Sequence, residues 1–243
     1  MTSKDTAICL RKTDFSETSQ VVTFFTKDAG KLAAVAKGSR RKKSSFDGPI
    51  EVFSYGDIVY TQSPTAKLAT LTEFSQTPAF QYLSSKLTCM NAGLFAVELL
   101  DYFTEKYDPH PQLFDSFIQF LSNIQTAETR ASVIRLLIIF QLTLLSEVGT
   151  RPILARCANC KIHFSETWPH FYFSSTANGI VCPDCELSFP DKIRINAQSA
   201  AVLADLKNIY TAKEVTLNEI EKLLISHFTE LMHRPPKMAK FFR

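Results

Sequence analysis

The chain has 243 residues and a mass of 27.4 kDa; 45% of it is apolar and 21% charged, with seven Gly and eleven Pro. That mix excludes a wholly disordered, collagen-like or low-complexity protein, and the length suffices for a hydrophobic core without disulfide staples. The net charge is only +3, yet residues 27–43 gather Lys27, Lys31, Lys37, Arg40, Arg41, Lys42 and Lys43 against the single acid Asp28. The rest of the chain is net negative, and cations concentrated in one segment point to an anionic partner.

The first zone, roughly residues 5–75, is rich in β-branched and aromatic residues with regular turn signals. Strands are predicted over Thr6–Arg11, Val21–Thr26, Leu32–Lys37, Ile50–Phe53, Gly56–Gln62 and Leu68–Phe74. Lys27-Asp28-Ala29-Gly30 reads as a turn in which Gly30 is free to take positive φ, and Gly38–Phe46 as a polar basic loop closed by Asp47-Gly48-Pro49. Strands this short and this closely spaced fit a small closed barrel or a sandwich.

From about Ala79 to Thr150 the pattern turns helical. Leu83, Leu87, Met90, Leu94, Val97 and Tyr102 mark one stripe, and Leu113, Phe114, Phe117, Leu121 and Ile124 another. Residues 131–148 are apolar nearly all round, as in a central bundle helix, and Gly149 with Pro152 stops them. The longest apolar run, Leu136–Leu145, is interrupted by Gln141 and Thr143. It falls short of the roughly 18 residues that a bilayer span needs, and the start MTSKDTAICLRK lacks the apolar stretch of a secretory signal. Helical pattern returns at Ala197–Tyr210, and Thr216-Leu-Asn-Glu219 reads as a capping box opening a last helix that ends at Pro235-Pro236. A basic, aromatic KMAKFFR closes the chain.

Between these helices lie Cys157-Ala-Asn-Cys160 and Cys182-Pro-Asp-Cys185, separated by 21 residues. That is just beyond the usual zinc-knuckle separation of about 15–20. Two C-x-x-C turns can close a tetrahedral shell around Zn²⁺, and Asn178-Gly179 supplies a hairpin turn that folds the second pair toward the first. Buried or unpaired thiols are the plainer alternative. A redox role would need a thioredoxin-like βαβ context, which is absent. Four Cys leave no open position, and neither H-E-x-x-H nor the H-x-E pattern of zinc deaminases occurs, so the expected metal role is structural. His163 and His170 could each replace a thiolate, but with four Cys available they read as surface or hairpin residues. Trp168 is expected to pack the hairpin rather than stack on a base.

Four consecutive cations at Arg40–Lys43 repel one another, but gain when a phosphate backbone releases its counterions to them. A solvated loop is the plainer reading. Alternation along Val21–Thr26 would turn Phe24 or Phe25 outward, where it could stack on a base. Arg130 and Arg135 on one apolar helix, and Lys86 on another, could hold an acidic, hydrophobic peptide tail, although such residues are commonly just the wet edge of a bundle. No Walker G-x-x-x-x-G-K-[ST] and no G-x-S-x-G elbow is present, and no carboxylate pairing suggests acid–base work.

These residues carry a resemblance. Asp14-Phe-Ser-Glu17-Thr, Phe25-Thr26 leading to Gly30-Lys31, and Ala36-Lys37-Gly38 followed by Arg40-Arg41 and Ser44 resemble the bacterial RecO family of DNA repair recombination mediators. The four-Cys insertion and the closing basic segment match as well. Where family members often carry Gly after the second Cys of a knuckle, Lys161 and Glu186 stand here.

The resemblance implies an α+β chain: an oligonucleotide-binding (OB) barrel at 1–78, a helical domain at 79–150 and 195–243, and an inserted zinc finger at 151–194. It implies binding of single- and double-stranded DNA, strand annealing, partnership with RecR and with the acidic tail of single-stranded DNA-binding protein, and loading of RecA. It also implies a cytoplasmic, nucleoid-associated place and no enzymatic activity. The residues expected to meet DNA are Lys37, Arg40, Arg41, Lys42 and Lys43, with Lys27, Lys31 and Arg11 secondary. Those expected to hold one structural zinc are Cys157, Cys160, Cys182 and Cys185. A zinc-containing RNA-binding or transcription-associated adaptor is the competing expectation, and a metal hydrolase a more distant one.

Overall fold

The computed structural model describes residues 2–41, 46–63 and 66–242. The chain forms two compact units: residues up to Lys86 together with Leu100–Gln125, and Leu87–Leu99 together with Thr126 onward.

The first unit is built on five strands: β1 (Thr2–Asp14), β2 (Gln20–Thr26), β3 (Gly30–Ala36), β4 (Tyr55–Thr61) and β5 (Ala69–Thr77). They close a barrel in the order β1-β2-β3-β5-β4, antiparallel except for β3 against β5. This is the connectivity of the OB-fold. β1 belongs to both sides of the barrel. Its first half pairs with β4 and its second with β2, and the register shifts between Cys9 and Arg11, where the strand bends. Cys9, Val22, Phe24, Leu32, Ile58, Leu71 and Phe74 fill the interior. The alanines of β3, weak strand formers, have a steric reason: Ala34 and Ala36 point into that interior, where a small barrel needs small residues opposite large ones. At the β2–β3 turn Gly30 has φ 73°, and a Cβ there would lie 2.2 Å from the Asp108 carbonyl oxygen.

Two expectations about the barrel fail. Ile50–Phe53 is no strand. Phe53 has φ 72°, its N–H donates to the Cys9 carbonyl (2.9 Å), and Cys9 N–H donates to the Ser54 carbonyl (2.8 Å), so the segment docks as a turn on the bend of β1. Nor does either β2 phenylalanine face solvent, for both are 0% exposed. Phe24 packs edge-on to Phe74 inside the barrel. Phe25 does point outward, but the helix α2 (Pro111–Thr126) covers that face, with Phe114 at 5.8 Å between ring centroids.

In the second unit, the apolar α3 (Arg130–Glu147) packs against α5 (Glu214–Met232), with α4 (Ala197–Ala204) beside α5. The remaining helix, α1 (Leu87–Phe103), contributes to both units. The closing segment is anchored within the second unit: Glu98 accepts from the N–H groups of Lys237 and Met238, and Phe242 stacks on Phe95.

The Thr216–Glu219 capping box does not exist. α5 begins two residues earlier, Thr216 donates to Gln198, and Glu219 accepts from the Asn196 N–H and the Ser199 hydroxyl, bracing the start of α4. The capping box that does form is at Thr129–Ser132, opening α3. It escapes the usual pattern because Ser rather than Glu or Gln stands at the third helical position. Among the described residues no helix is long and apolar enough to cross a membrane.

A three-stranded sheet, β7-β6-β8, carries the cysteine module. β6 (Phe171–Ser174) and β7 (Gly179–Val181) form the hairpin that Asn178-Gly179 announced, with Asn178 at φ 52°, and β8 (Ile193–Ile195) flanks β6. Gly179 cannot be replaced without a shift of the backbone, since a Cβ would meet the Ile153 carbonyl oxygen at 2.2 Å.

Candidate functional site: a cationic loop and a four-cysteine centre

The four cysteines converge. All four Sγ atoms lie within 4.8 Å of one another, and Cys160 and Cys182 sulfurs are 3.6 Å apart. Zn–S bonds of about 2.3 Å in a tetrahedron would set the sulfurs about 3.8 Å apart, so this donor set fits such an ion with only small movements. The protonation chemistry agrees. Burial pushes the Cys157 thiol up, but N–H groups of Cys182, Cys160 and Asn159 outweigh it and hold the group at about 7. Cys182 is pushed up to about 12 by burial and by the sulfurs of Cys185, Cys160 and Cys157. Thiolates crowded this closely need a cation to compensate their charge.

Outer donors orient the sulfurs. Cys182 N–H donates to Cys157 Sγ (3.4 Å) and Asn159 Nδ2 to Cys185 Sγ (3.3 Å). Apart from its sulfurs the module has a small local core of Val181 with Trp168, Tyr172, Ala177 and Phe189 packed on it. Trp168 lies against Phe164 and Phe171, as a hairpin-packing residue would. His163 and His170 are exposed and stand outside the cluster; His170 Nδ1 instead meets the Arg194 guanidinium at 2.9 Å.

The turn after the first C-x-x-C pair has a geometric cause. Lys161 takes φ 66°, a left-handed conformation that turns the first knuckle, and its N–H donates to the Cys157 carbonyl (3.1 Å). No such conformation occurs at Glu186, where the chain enters a short 3-10 turn instead.

The remaining cysteines are buried elsewhere. Cys9 sits in the barrel core, where burial pushes its thiol up to about 12 and leaves it unreactive.

On the barrel, the cationic loop is rooted by a buried polar node. Gln20 (1% exposed) accepts at Oε1 from the Ser39 hydroxyl (3.0 Å) and from Ile50 N–H (3.1 Å), while its Nε2 donates to the Ile50 carbonyl (3.2 Å). Ser39 is itself fully buried. The same loop is tied to the β1–β2 turn, since Arg40 N–H donates to the Thr18 carbonyl and Gly38 N–H to the Ser19 hydroxyl. Neither Gln20 nor Ser39 drew notice in the sequence. A polar residue opening the apolar run QVVTFFT was the available signal.

The predicted DNA-contacting residues divide by their surroundings. Lys37, Arg40 and Arg41 are exposed on the rooted loop. Arg40 pairs with Asp14 at 3.2 Å, whereas Lys37 and Arg41 have no ion pair among the described residues. Lys42 and Lys43, with Ser44, lie outside the described residues. The secondary set faces carboxylates far along the chain. Lys27 pairs with Asp115 (2.8 Å), which raises its pKa. Arg11 and Lys31 share Asp101 at 3.7 and 3.3 Å, and Lys31, 8% exposed, also donates to the Asp101 carbonyl.

Of the three residues suggested for a peptide tail, Lys86 is exposed in the first unit and the other two belong to the second. Arg130 lies over the Phe242 ring at 5.8 Å and Arg135 Nε donates to the Ile209 carbonyl. Ile209 lines a cleft of about 400 Å³ together with Ile139, Leu142, Tyr210, Arg151 and Lys207.

Comparison with known proteins reaches nearly the whole chain. The family model described as Recombination protein O N terminal matches residues 1–80, and Recombination protein O C terminal matches residues 85–239. A DNA repair protein RecO of Rhodopirellula baltica is 31% identical over 215 residues, 88% of this chain and 77% of that protein. One of Bacillus pumilus is 29% identical over 248 residues, 99% and 93% respectively. One of Salinibacter ruber reaches 39% over 150 residues, covering 62% of this chain and 57% of that relative. With an OB-type barrel, a helical part and a four-cysteine cluster in the order those two models span, the chain belongs to the RecO family of recombination proteins.

Proposed function

We propose that the chain is a non-enzymatic recombination mediator in DNA repair that binds single- and double-stranded DNA through its barrel and anneals complementary strands. The observation that carries this reading is the loop bearing Lys37, Arg40 and Arg41, rooted through Ser39 on the buried Gln20 of an OB-type barrel. Cations held on a rigid root gain counterion-release energy from a phosphate backbone, and neutralising two strands lets complements meet. Lys42 and Lys43 extend the same set. Lys27, Lys31 and Arg11 contribute less because carboxylates already compensate them. In this division the barrel of residues 1–78 takes DNA, helices drawn from 79–150 and 195–243 bind partners, and 151–194 form the finger.

Cys157, Cys160, Cys182 and Cys185 would hold one structural Zn²⁺ per chain, with all four positions filled by thiolate and none left for catalysis. The cleft near Arg135 would suit the acidic, apolar tail of single-stranded DNA-binding protein, with Arg130 as a further cation of the same unit. RecR would join the complex that loads RecA. The setting is the bacterial cytoplasm, at the nucleoid.

Strand annealing, followed with labelled complementary oligonucleotides with and without single-stranded DNA-binding protein, tests the reading. Acceleration in both conditions is expected. An RNA-binding or transcription adaptor would bind its partner and leave annealing at the uncatalysed rate, and that result would end the proposal.

A further inference from the structure

The β1–β2 turn presents Phe15 with 71% of its surface exposed, in a barrel whose other candidate stacking rings, Phe24 and Phe25, are wholly buried. The turn is not a slack loop. Phe15 N–H and Ser16 N–H both donate to the Ser19 carbonyl (3.0 and 3.3 Å), and the Ser16 hydroxyl accepts from Thr18 and Ser19 N–H (3.4 and 3.1 Å). The cationic loop is bound to that same turn through Arg40 N–H to Thr18 and Gly38 N–H to Ser19, and the Arg40 guanidinium meets Asp14, the neighbour of Phe15. An apolar ring standing in water on a preorganised tip beside cations is the combination that single-stranded nucleic acid rewards: phosphates meet the charges and an unpaired base covers the ring.

We propose that Phe15 stacks on an unpaired base, a contact that single strands make and that paired bases deny. This rests on the barrel's cationic loop binding nucleic acid, and it adds strand selectivity to that reading. Ring and charges have separable signatures. Stacking adds affinity without releasing counterions, so it leaves the salt dependence alone, whereas loss of a cation flattens that dependence.

The test uses the full chain with Phe15→Ala and Phe15→Trp, titrated against fluorescein-labelled oligo(dT) and a blunt duplex of equal length across a salt series. Phe15→Ala should lose about five- to a hundredfold in affinity for the single strand, with the slope of log affinity against log salt unchanged and duplex affinity within about twofold of the parent. Phe15→Trp should restore single-strand affinity. Its added indole emission, taken as the difference from the parent protein, should be quenched by oligo(dT) and not by the duplex. Single-strand affinity equal to the parent's in Phe15→Ala overturns the proposal while leaving the cationic loop intact as a DNA site. Equal losses on both probes overturn it too, since Phe15 would then act by shaping the loop. A parent protein that binds neither probe overturns both this inference and the reading on which it rests.

Discussion

The ion pairs rank the proposed DNA-contacting cations: they set Arg40 below Lys37 and Arg41, and give a physical reason for placing Lys31 last. Each cation that takes a phosphate contributes about 0.7 to the slope of log affinity against log salt on a single strand. Lys37 and Arg41 are exposed and have no ion pair among the described residues, so the double change to Ala should flatten the slope by about 1.4. Lys31 carries the same formal charge but is 8% exposed, with its ammonium bound to the Asp101 carboxylate and carbonyl. Lys31→Met should therefore leave the slope within about 0.2 of the parent, well below one cation's share. Arg40 lies between these cases because Asp14 competes with phosphate for it. Asp14→Asn keeps an acceptor for Gln20 and removes the competing charge, so it should tighten binding and steepen the slope by up to about 0.7. The assay is fluorescence anisotropy of labelled oligo(dT) from low to moderate salt. Equal flattening by Lys31→Met and by the Lys37/Arg41 pair, or weaker binding by Asp14→Asn, would refute this ordering.

Four further outcomes are expected. The Cys157→Ser, Cys160→Ser double variant should lose its zinc and unfold the module locally, whereas the parent should contain one zinc per chain by elemental analysis; a parent free of metal would remove the assignment. Lys161→Gly should raise stability by about 1 kcal/mol in denaturant melts by relieving a left-handed conformation, with the zinc content unchanged. Gln20→Leu strands the Ser39 hydroxyl and the Ile50 N–H and carbonyl, and should cost about 2–4 kcal/mol in the same melts; a near-neutral result would mean the node does not root the loop.

The fourth concerns pH. Burial raises the Glu221 carboxyl to about 8 from an unfolded value of 4.5, despite a hydrogen bond from Gln141, so stability falls as pH rises from about 4.5 toward 8. Glu221→Gln should thus stabilise the protein by roughly 3 kcal/mol at pH 7, an advantage that vanishes near pH 4.5. His227, buried and lowered to about 4, acts on the other side, withdrawing stability as pH falls below about 6.5 in both proteins.

The barrel was legible because its strands are rich in β-branched and aromatic residues and its turns carry Gly and Asp, signals that reside within a few residues. Ile50–Phe53 misled because a short apolar run looks alike whether it pairs in a sheet or seals a barrel end as a turn. The outward position of Phe25 followed from alternation, but its cover, Phe114, stands far along the chain, beyond any local pattern. The same distance hid the ion pairs. Lys27 and Asp115 are 88 residues apart, and nothing at either position marks the other. The cysteine cluster was plain because metal chemistry restricts both residue type and spacing. The Thr216–Glu219 motif failed for the opposite reason: those residues serve several kinds of contact, and tertiary partners on α4 claimed them.

The interleaving of the chain bears on how such a protein can be divided. All five barrel strands precede residue 86, yet their unit is completed only by Leu100–Gln125. A fragment cut after Lys86 would part Phe25 from Phe114 and free Lys27, Lys31 and Arg11 from Asp115 and Asp101. It would be stickier toward both oil and polyanions than the same strands in the whole molecule. The barrel is thus no detachable bead, and the positive charge it presents is trimmed by a later stretch of the polypeptide.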